Sequence, residues 1–355
     1  MFEREFFDES INKFCKLLIV KDKISEKYLE TFLTKYLNTN KKKIMSFDLE
    51  FNTPPGSHKE RVIAIFQIAF YLKNYVLIIF FNPILLNKNN NNLIKKLLVS
   101  KNILKIGHGT DSLDVPAIFI YLDTDNDRIS FINTLYDTRF LCEYENVITE
   151  SKLCNIYYLL EKYSVLTPEQ MNFLIINEQK IGKFWMNKID LKNLSPELRD
   201  YSMYDALYLK KLLGSIKRDF KKLNYNYKLI IEATRFIFLL KREIIKIDNF
   251  GSLNIYFLSD KKRLYEHFIE FYNQFNENLF KVNYFKSSFI KVLQLAFYIQ
   301  ICKQNKVYQS NNNLIDNSVI NNLQNIWKNL SIYLKLYPKI NKLIIKFLEF
   351  CQTRI

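Results

Sequence analysis

The stretch Ile44-Met45-Ser46-Phe47-Asp48-Leu49-Glu50-Phe51 carries two carboxylates two residues apart in an apolar setting. It reads as a strand. Side chains in a strand alternate faces, so Asp48 and Glu50 point the same way while Phe47 and Leu49 enter a core. Two acids side by side repel each other and are costly to bury. A hard cation such as Mg²⁺ or Mn²⁺ is the natural compensation. The alternative is an edge strand with two solvated acids, and this stretch alone leaves both open. A second pattern is Tyr201-Ser202-Met203-Tyr204-Asp205. On a helix, Tyr201 and Asp205 stand at i and i+4 and share a face. Alone, Tyr201 also fits a core aromatic with a satisfied hydroxyl, and Asp205 a surface acid. The three histidines, His58, His108 and His267, form no Ser-His-Asp or Cys-His pattern. His108 reads as a hydrogen-bonding residue at a strand end, and Gln67 as a core amide.

These residues need a scaffold. Residues 2 to about 38 read as helical, with Ile11, Phe14, Leu17 and Leu18, then Tyr28, Leu29, Phe32, Leu33 and Tyr36, at helical spacing. After Phe51 a turn runs from Asn52 to Ser57. The apolar runs Val62–Phe70 and Tyr75–Phe81 flank Lys73-Asn74 and predict a hairpin, which with 44–51 makes a three-strand meander. Asn89–Asn92 reads as a polar loop and Leu93–Val99 as a short helix. Ile103–Gly109 is a fourth strand. A helix then opens within Thr110–Pro116, and Pro116 fits only its first turn, which makes Asp114 an early helical residue. Asp123–Asp127 reads as an acidic loop, Ile129–Leu135 as the lead into a fifth strand, and Asp137-Thr138 as the opening of a helix through Glu143. Cys154–Tyr163 is another helix, and 164–190 is mixed, with Phe184-Trp185 prominent. Ser195-Pro196 gives a helix its cap and first position, and that helix runs to about Leu213. Beyond Lys221 the chain becomes a series of apolar-periodic helices, about 226–246, 260–280, 285–303, 314–334 and 338–351. Linkers fall at Asn249–Ser252 and Asn311–Asn313.

A chain of 355 residues with 48% hydrophobic content builds sizeable cores, and only 6 Gly and 7 Pro argue against a loop-rich all-β fold. The expected organisation is an N-terminal helical extension (1–40), an α/β domain (41–220) and a basic helical domain (221–355). The net charge is +16, and residues 226–355 hold 19 Lys and Arg against 9 Asp and Glu. Such an excess suits a polyanion, nucleic acid or an anionic membrane surface, although AT-rich coding also favours lysine. Phe236, Phe238, Phe268 and Phe271 are core positions by periodicity. Five scattered cysteines with no C-x-x-C pair read as buried thiols in a reducing setting, and the charged N-terminus carries no signal-peptide pattern. An intracellular protein, cytoplasmic or nuclear and not secreted, is expected.

The order of these pieces resembles the DEDD 3′–5′ exonucleases with a tyrosine in the last motif, and within them the ribonuclease D branch, over roughly residues 40–215. Asp48-Leu49-Glu50-Phe51 is similar to the first motif, Ile65-Phe66-Gln67-Ile68 to the following strand, and Lys105–Asp114 to the second motif. Asp137-Thr138 is similar to the pair that opens the next helix, and Trp185–Asp205 to the final segment. In that family the second-motif aspartate falls six residues after the strand-end glycine, where this chain has Leu113. Asp114 is preferred over Asp111, because Val115 and Ile118 repeat the apolar pattern that follows, and Asp111 then reads as a helix cap. The resemblance implies a ribonuclease H-like mixed five-stranded sheet flanked by helices and followed by an all-α region. It implies two divalent ions, Mg²⁺ or Mn²⁺, with Asp48 bridging them, Glu50 and Asp205 completing one site and Asp114 supporting the other. Tyr201 would then aim the attacking water at the phosphorus of single-stranded or 3′-ended nucleic acid, RNA ahead of DNA. A nucleic-acid-binding or scaffold protein that keeps the fold without turnover is the alternative.

Overall fold

The computed structural model describes residues 2–53, 61–181, 188–247, 261–304 and 317–353. The turn from Pro54 to Ser57, His58, Phe184-Trp185 and the linkers at 249–252 and 311–313 lie outside the described residues.

The N-terminus corrects the helical expectation. β1 (Arg4–Asp8) and β2 (Lys13–Ile19) form an antiparallel hairpin. The apolar run 14–19 satisfies a helical and a strand period equally, so tertiary pairing decides. Phe14 is exposed while Cys15, Leu17, Leu18 and Ile19 are buried. The Asp8 carboxylate accepts from Ile11 N at 3.1 Å, and Asn12 takes a left-handed φ of 50°, which closes the turn.

α1 (Lys23–Leu37) is helical as expected, with a reciprocal Asp22–Ser25 capping box. The acidic strand is β3 (Lys43–Asn52). It pairs antiparallel with β4 (Val62–Tyr71), which pairs antiparallel with β5 (Tyr75–Phe81). The polar loop expected at Asn89–Asn92 is instead the first turn of α2 (Lys88–Val99). Asn87 caps it, and buried Asn90 donates to Glu26 O at 3.2 Å. β6 (Ile103–Gly107) runs parallel to β3, and α3 (Asp114–Tyr121) follows. The expected acidic loop is a helix from its third residue, α4 (Asp125–Ile132), capped by Thr124. The fifth strand shrinks to β7 (Leu135–Asp137).

The sheet order is β1-β2-β5-β4-β3-β6-β7. Its last five strands, mixed with β4 antiparallel, are the expected ribonuclease H-like sheet. The N-terminal hairpin extends it to seven by pairing β2 parallel with β5. α5 (Thr138–Thr149) follows β7, and the flanking helices are α6 (Ile156–Lys162), α7 (Pro168–Ile181), α8 (Pro196–Leu207) and α9 (Leu209–Lys222). α7 falls in the stretch read as mixed, and the helix expected to run to Leu213 breaks at Tyr208.

Residues 1–142 and 152–225 make one compact unit, and 143–151 with 226–355 a second. The second contains α10 (Tyr227–Lys241), α11 (Lys261–Gln274), α12 (Asn278–Lys281), α13 (Asn283–Gln304), α14 (Asn317–Leu334) and α15 (Pro338–Gln352). Phe236, Phe238, Phe268 and Phe271 are buried in its core as the periodicity predicts. These rings pack on one another, for example Phe268 on Phe347 at 6.2 Å, so they are not available to bases.

Cys142 and Cys154 form a disulfide, with Cα atoms 5.8 Å apart. This corrects the reading of five thiols. The loop after α5 doubles back and brings the second sulfur onto the first, a closure that no local motif announces. Cys15 and Cys351 are buried thiols as expected. No helix among the described residues is long and apolar enough to cross a membrane.

Candidate metal centre

Ser46, Asp48 and Glu50 line one face of β3, the central strand of the five. The β3–β4 register sets Asp48 opposite Gln67, and a bulge follows Glu50. α8 lies across this face. Ser46 Oγ donates to Ala206 O at 2.6 Å and Tyr71 Oη donates to Leu207 O at 2.9 Å, which fixes the last turn of α8. Its start is fixed by Ser195 Oγ, which accepts from Leu198 N at 3.2 Å. Asp205 is thereby held over β3. Ligand-type oxygens of Asp48, Glu50 and Asp205 all lie within 4.8 Å of one another. The edge strand with solvated acids is excluded, because β3 is paired on both sides and Glu50 is buried.

The Glu50 carboxylate accepts from Gln67 Nε2 at 3.2 Å and from Ser202 Oγ at 3.3 Å. Gln67, expected to be a satisfied core amide, therefore belongs to the site. Its Oε1 is buried without a hydrogen-bond partner among the described residues. Two donors do not neutralise the cluster. Burial pushes Asp48 up to about 7. Burial, then the charges of Asp48 and Asp205, holds Glu50 well above the usual carboxylate range, against the pull of Gln67 and Ser202. Burial, then Asp48, does the same to Asp205, although a hydrogen bond from Tyr201 opposes it. The cluster is short of positive charge, and its donors are all hard carboxylate oxygens. That set fits a divalent hard cation.

Tyr201 sits one turn before Asp205 on α8. The Asp205 charge, then burial, then Glu50 and Asp48, drives its ionisation far above the ordinary phenol range. It stays a neutral hydroxyl. A second tyrosine, Tyr157 on α6, lies in the electrostatic reach of both Tyr201 and Asp205. Its hydroxyl is buried with no hydrogen-bond partner among the described residues. Nothing in the run Asn155–Lys162 marks it, since neighbouring Tyr158 looks the same in sequence.

Asp114 begins α3 and is buried. Its carboxyl is held well above the ordinary range by burial, then Asp48, Asp137, Glu50 and Asp111. It stands beside the cluster and outside the three that gather within 4.8 Å. Asp111 is not the helix cap. Leu113 occupies that position without a side-chain bond, and Asp111 Oδ1 is 3.6 Å from Arg139 Nη1. The loop is shaped from below by Asp137. Its carboxylate accepts from Gly109 N at 3.0 Å, Thr110 N and Thr110 Oγ1 at 2.8 Å each, and Arg139 N at 2.9 Å. Gly109 has a φ of +66°, which any Cβ would strain. His108 pairs through Nδ1 with Thr138 Oγ1 at 2.9 Å. Burial pushes it down to about 4, so it is neutral, and it is the hydrogen-bonding strand-end residue the sequence suggested.

In its sheet order and in the convergence of Asp48, Glu50 and Asp205, the chain resembles the DEDD-type 3′–5′ exonucleases of the ribonuclease H-like class. No family model matches it. The uncharacterized protein L533 of Acanthamoeba polyphaga mimivirus is 28% identical over 273 residues, 65% of this chain and 54% of that protein. The chain thus spans about half the length of the curated relative it matches. Among solved structures, the Aedes aegypti Nibbler EXO domain is similar over 64% of this chain and 96% of its own, at 15% identity and a TM-score of 0.42. The Trypanosoma brucei RNase D in complex with GMP is similar over 56% of each chain, at 15% identity and a TM-score of 0.41.

Proposed function

We propose that this chain is a metal-dependent 3′–5′ exonuclease that hydrolyses nucleic acid, RNA ahead of DNA, and releases nucleoside 5′-monophosphates. The observation that carries this reading is the three-carboxylate cluster, built from a central strand and a distant helix and left short of positive charge. Asp48, Glu50 and Asp205 would hold the divalent ions, two in number, Mg²⁺ or Mn²⁺, with Asp114 supporting the second of them. Bound ions supply neutralisation of the scissile phosphate and acidify a water near neutral pH. Tyr201, a hydroxyl rather than a phenolate, holds that water in line with the phosphorus and is not itself the base. Gln67 and Ser202 keep the Glu50 carboxylate oriented. RNA is preferred on the resemblance alone, because nothing in the cluster touches a 2′-hydroxyl.

A second reading is a nucleic-acid-binding protein without turnover, and the place of Asp114 outside the three-carboxylate group favours it. One assay separates them. A 5′-labelled single strand is incubated with Mg²⁺ or Mn²⁺, then with EDTA. Stepwise shortening from the 3′ end is expected with metal, none in EDTA, and none for Asp48→Asn. No metal-dependent shortening by the wild type would overturn the enzyme reading. Equal rates on matched RNA and DNA would remove the preference for RNA.

A further inference from the structure

At the other end of β3 from the carboxylates lies a groove of about 720 Å³. It is bordered by the second half of α1, the lead into β3, the turn between β4 and β5, and the start of α9. Six of its lining residues are lysines, Lys35, Lys41, Lys42, Lys43, Lys73 and Lys210, and none is acidic. Between them stand the half-buried rings of Tyr28, Phe32, Tyr71 and Tyr75.

From these residues we infer that the groove binds single-stranded nucleic acid, with its lysines on phosphates and its rings against bases. Surfaces ordinarily intersperse the two signs of charge, so six cations around one concavity repel each other until a polyanion enters. Two are fixed by rings. The Lys43 ammonium lies 4.4 Å from the Tyr36 centroid and donates to Tyr36 O, and Lys210 lies 4.9 Å from the Tyr71 centroid. Tyr28 and Tyr75 both line the groove. Alternating cations and partly exposed rings are the elements that track a single strand without reading its sequence. An anionic membrane fits less well, because none of the exposed large hydrophobic residues lines the groove. Asp48 is five residues beyond Lys43, about 17 Å along the strand. The groove is therefore a separate contact from the carboxylate cluster, and it lies in the α/β unit rather than in the basic helical region where net charge alone pointed.

The test measures fluorescence anisotropy of a labelled single-stranded oligonucleotide with the full chain in EDTA, across a salt series. Wild type is compared with Lys41→Glu/Lys42→Glu/Lys73→Glu, three exposed lysines outside the metal cluster, and with the same three changed to Arg. Removing three phosphate contacts should lower the slope of log affinity against log salt by about 2 and weaken binding about 100-fold near 0.1 M salt. The Arg variant should bind as wild type does, which separates lost charge from lost folding. Wild-type binding and slope in the Glu variant would overturn the inference. So would a wild type that ignores the oligonucleotide but floats with anionic vesicles. Because metal is absent, the outcome is independent of turnover. A failed exonuclease reading leaves it standing, and its failure leaves the exonuclease reading untouched.

Discussion

Replacing Asp48 with Asn should stabilise the metal-free protein and abolish its response to divalent ions. Asp48 is the shared source of strain, since its charge raises Glu50, Asp114, Asp205 and Tyr201. Two unit charges about 4.8 Å apart at an effective dielectric constant near 20 repel by about 3 kcal/mol. Its own rise from 3.8 to about 7 corresponds to roughly 4 kcal/mol, which caps the relief, and retained protons in the cluster reduce it. A gain of about 2 kcal/mol is expected near pH 8, or about 4–8 °C in Tm for a unit of this size. The sign follows from proton counts. A folded chain with a raised carboxyl pKa holds protons that the unfolded chain has released, so stability falls as pH rises from about 4 to about 7. The variant's advantage should therefore shrink toward pH 4. Calorimetry in EDTA and in millimolar Mn²⁺ reads both effects: metal should raise the wild-type Tm and leave that of Asp48→Asn almost unmoved. A variant less stable than wild type in EDTA near pH 8, or equally stabilised by Mn²⁺, would refute the account of an uncompensated carboxylate cluster.

Three further outcomes follow from the same geometry. Tyr157→Phe removes a buried hydroxyl without a hydrogen-bond partner among the described residues and should stabilise the metal-free chain by about 1 kcal/mol, read by denaturant unfolding; a loss of stability would mean the hydroxyl is engaged. Asp137→Ala orphans the Gly109 and Thr110 amides and should cost about 3–4 kcal/mol, with metal-dependent shortening lost because Asp114 is no longer held; an unchanged unfolding midpoint would contradict that role. Gly109→Ala forces a side chain into the left-handed region and should cost about 1–2 kcal/mol, and an Ala variant as stable as wild type would show that the loop has relaxed.

Asp48, Glu50 and Asp205 were legible because each depends on a short-range rule. Strand alternation puts the first two on one face, and a Ser-Pro cap fixes the helix phase that carries the third. That Asp114 opens a helix was legible through Pro116, which admits only an early helical position. What was illegible depends on register and closure. Gln67 meets Glu50 only because β4 pairs with β3 at Asp48↔Gln67, and no local pattern states that offset. Residues 14–19 satisfy both periods, and the pairing with β5, far along the chain, makes them a strand. Asn89–Asn92 has loop composition, yet Asn87 supplies a cap and Glu26 receives Asn90, so the same residues open a helix.

The carboxylate cluster opposes folding, so the scaffold around it has to be over-determined. β3 provides that determination. It is hydrogen-bonded on both sides, its other face buries Phe47 and Leu49, and Ser46 on the acidic face ties down the last turn of α8. One face of one strand thus carries both the anchor for the helix and two of the acids the helix must approach. Shifting the register by one residue would turn Ser46, Asp48 and Glu50 into the core together and lose the anchor with the site. The tie from Ser46 to Ala206, one residue beyond Asp205, is one of two that hold the helix over the strand, with Tyr71 on Leu207 the other, so Ser46→Ala should loosen Asp205 without touching any acid and shrink the rise in Tm that Mn²⁺ gives, read by calorimetry.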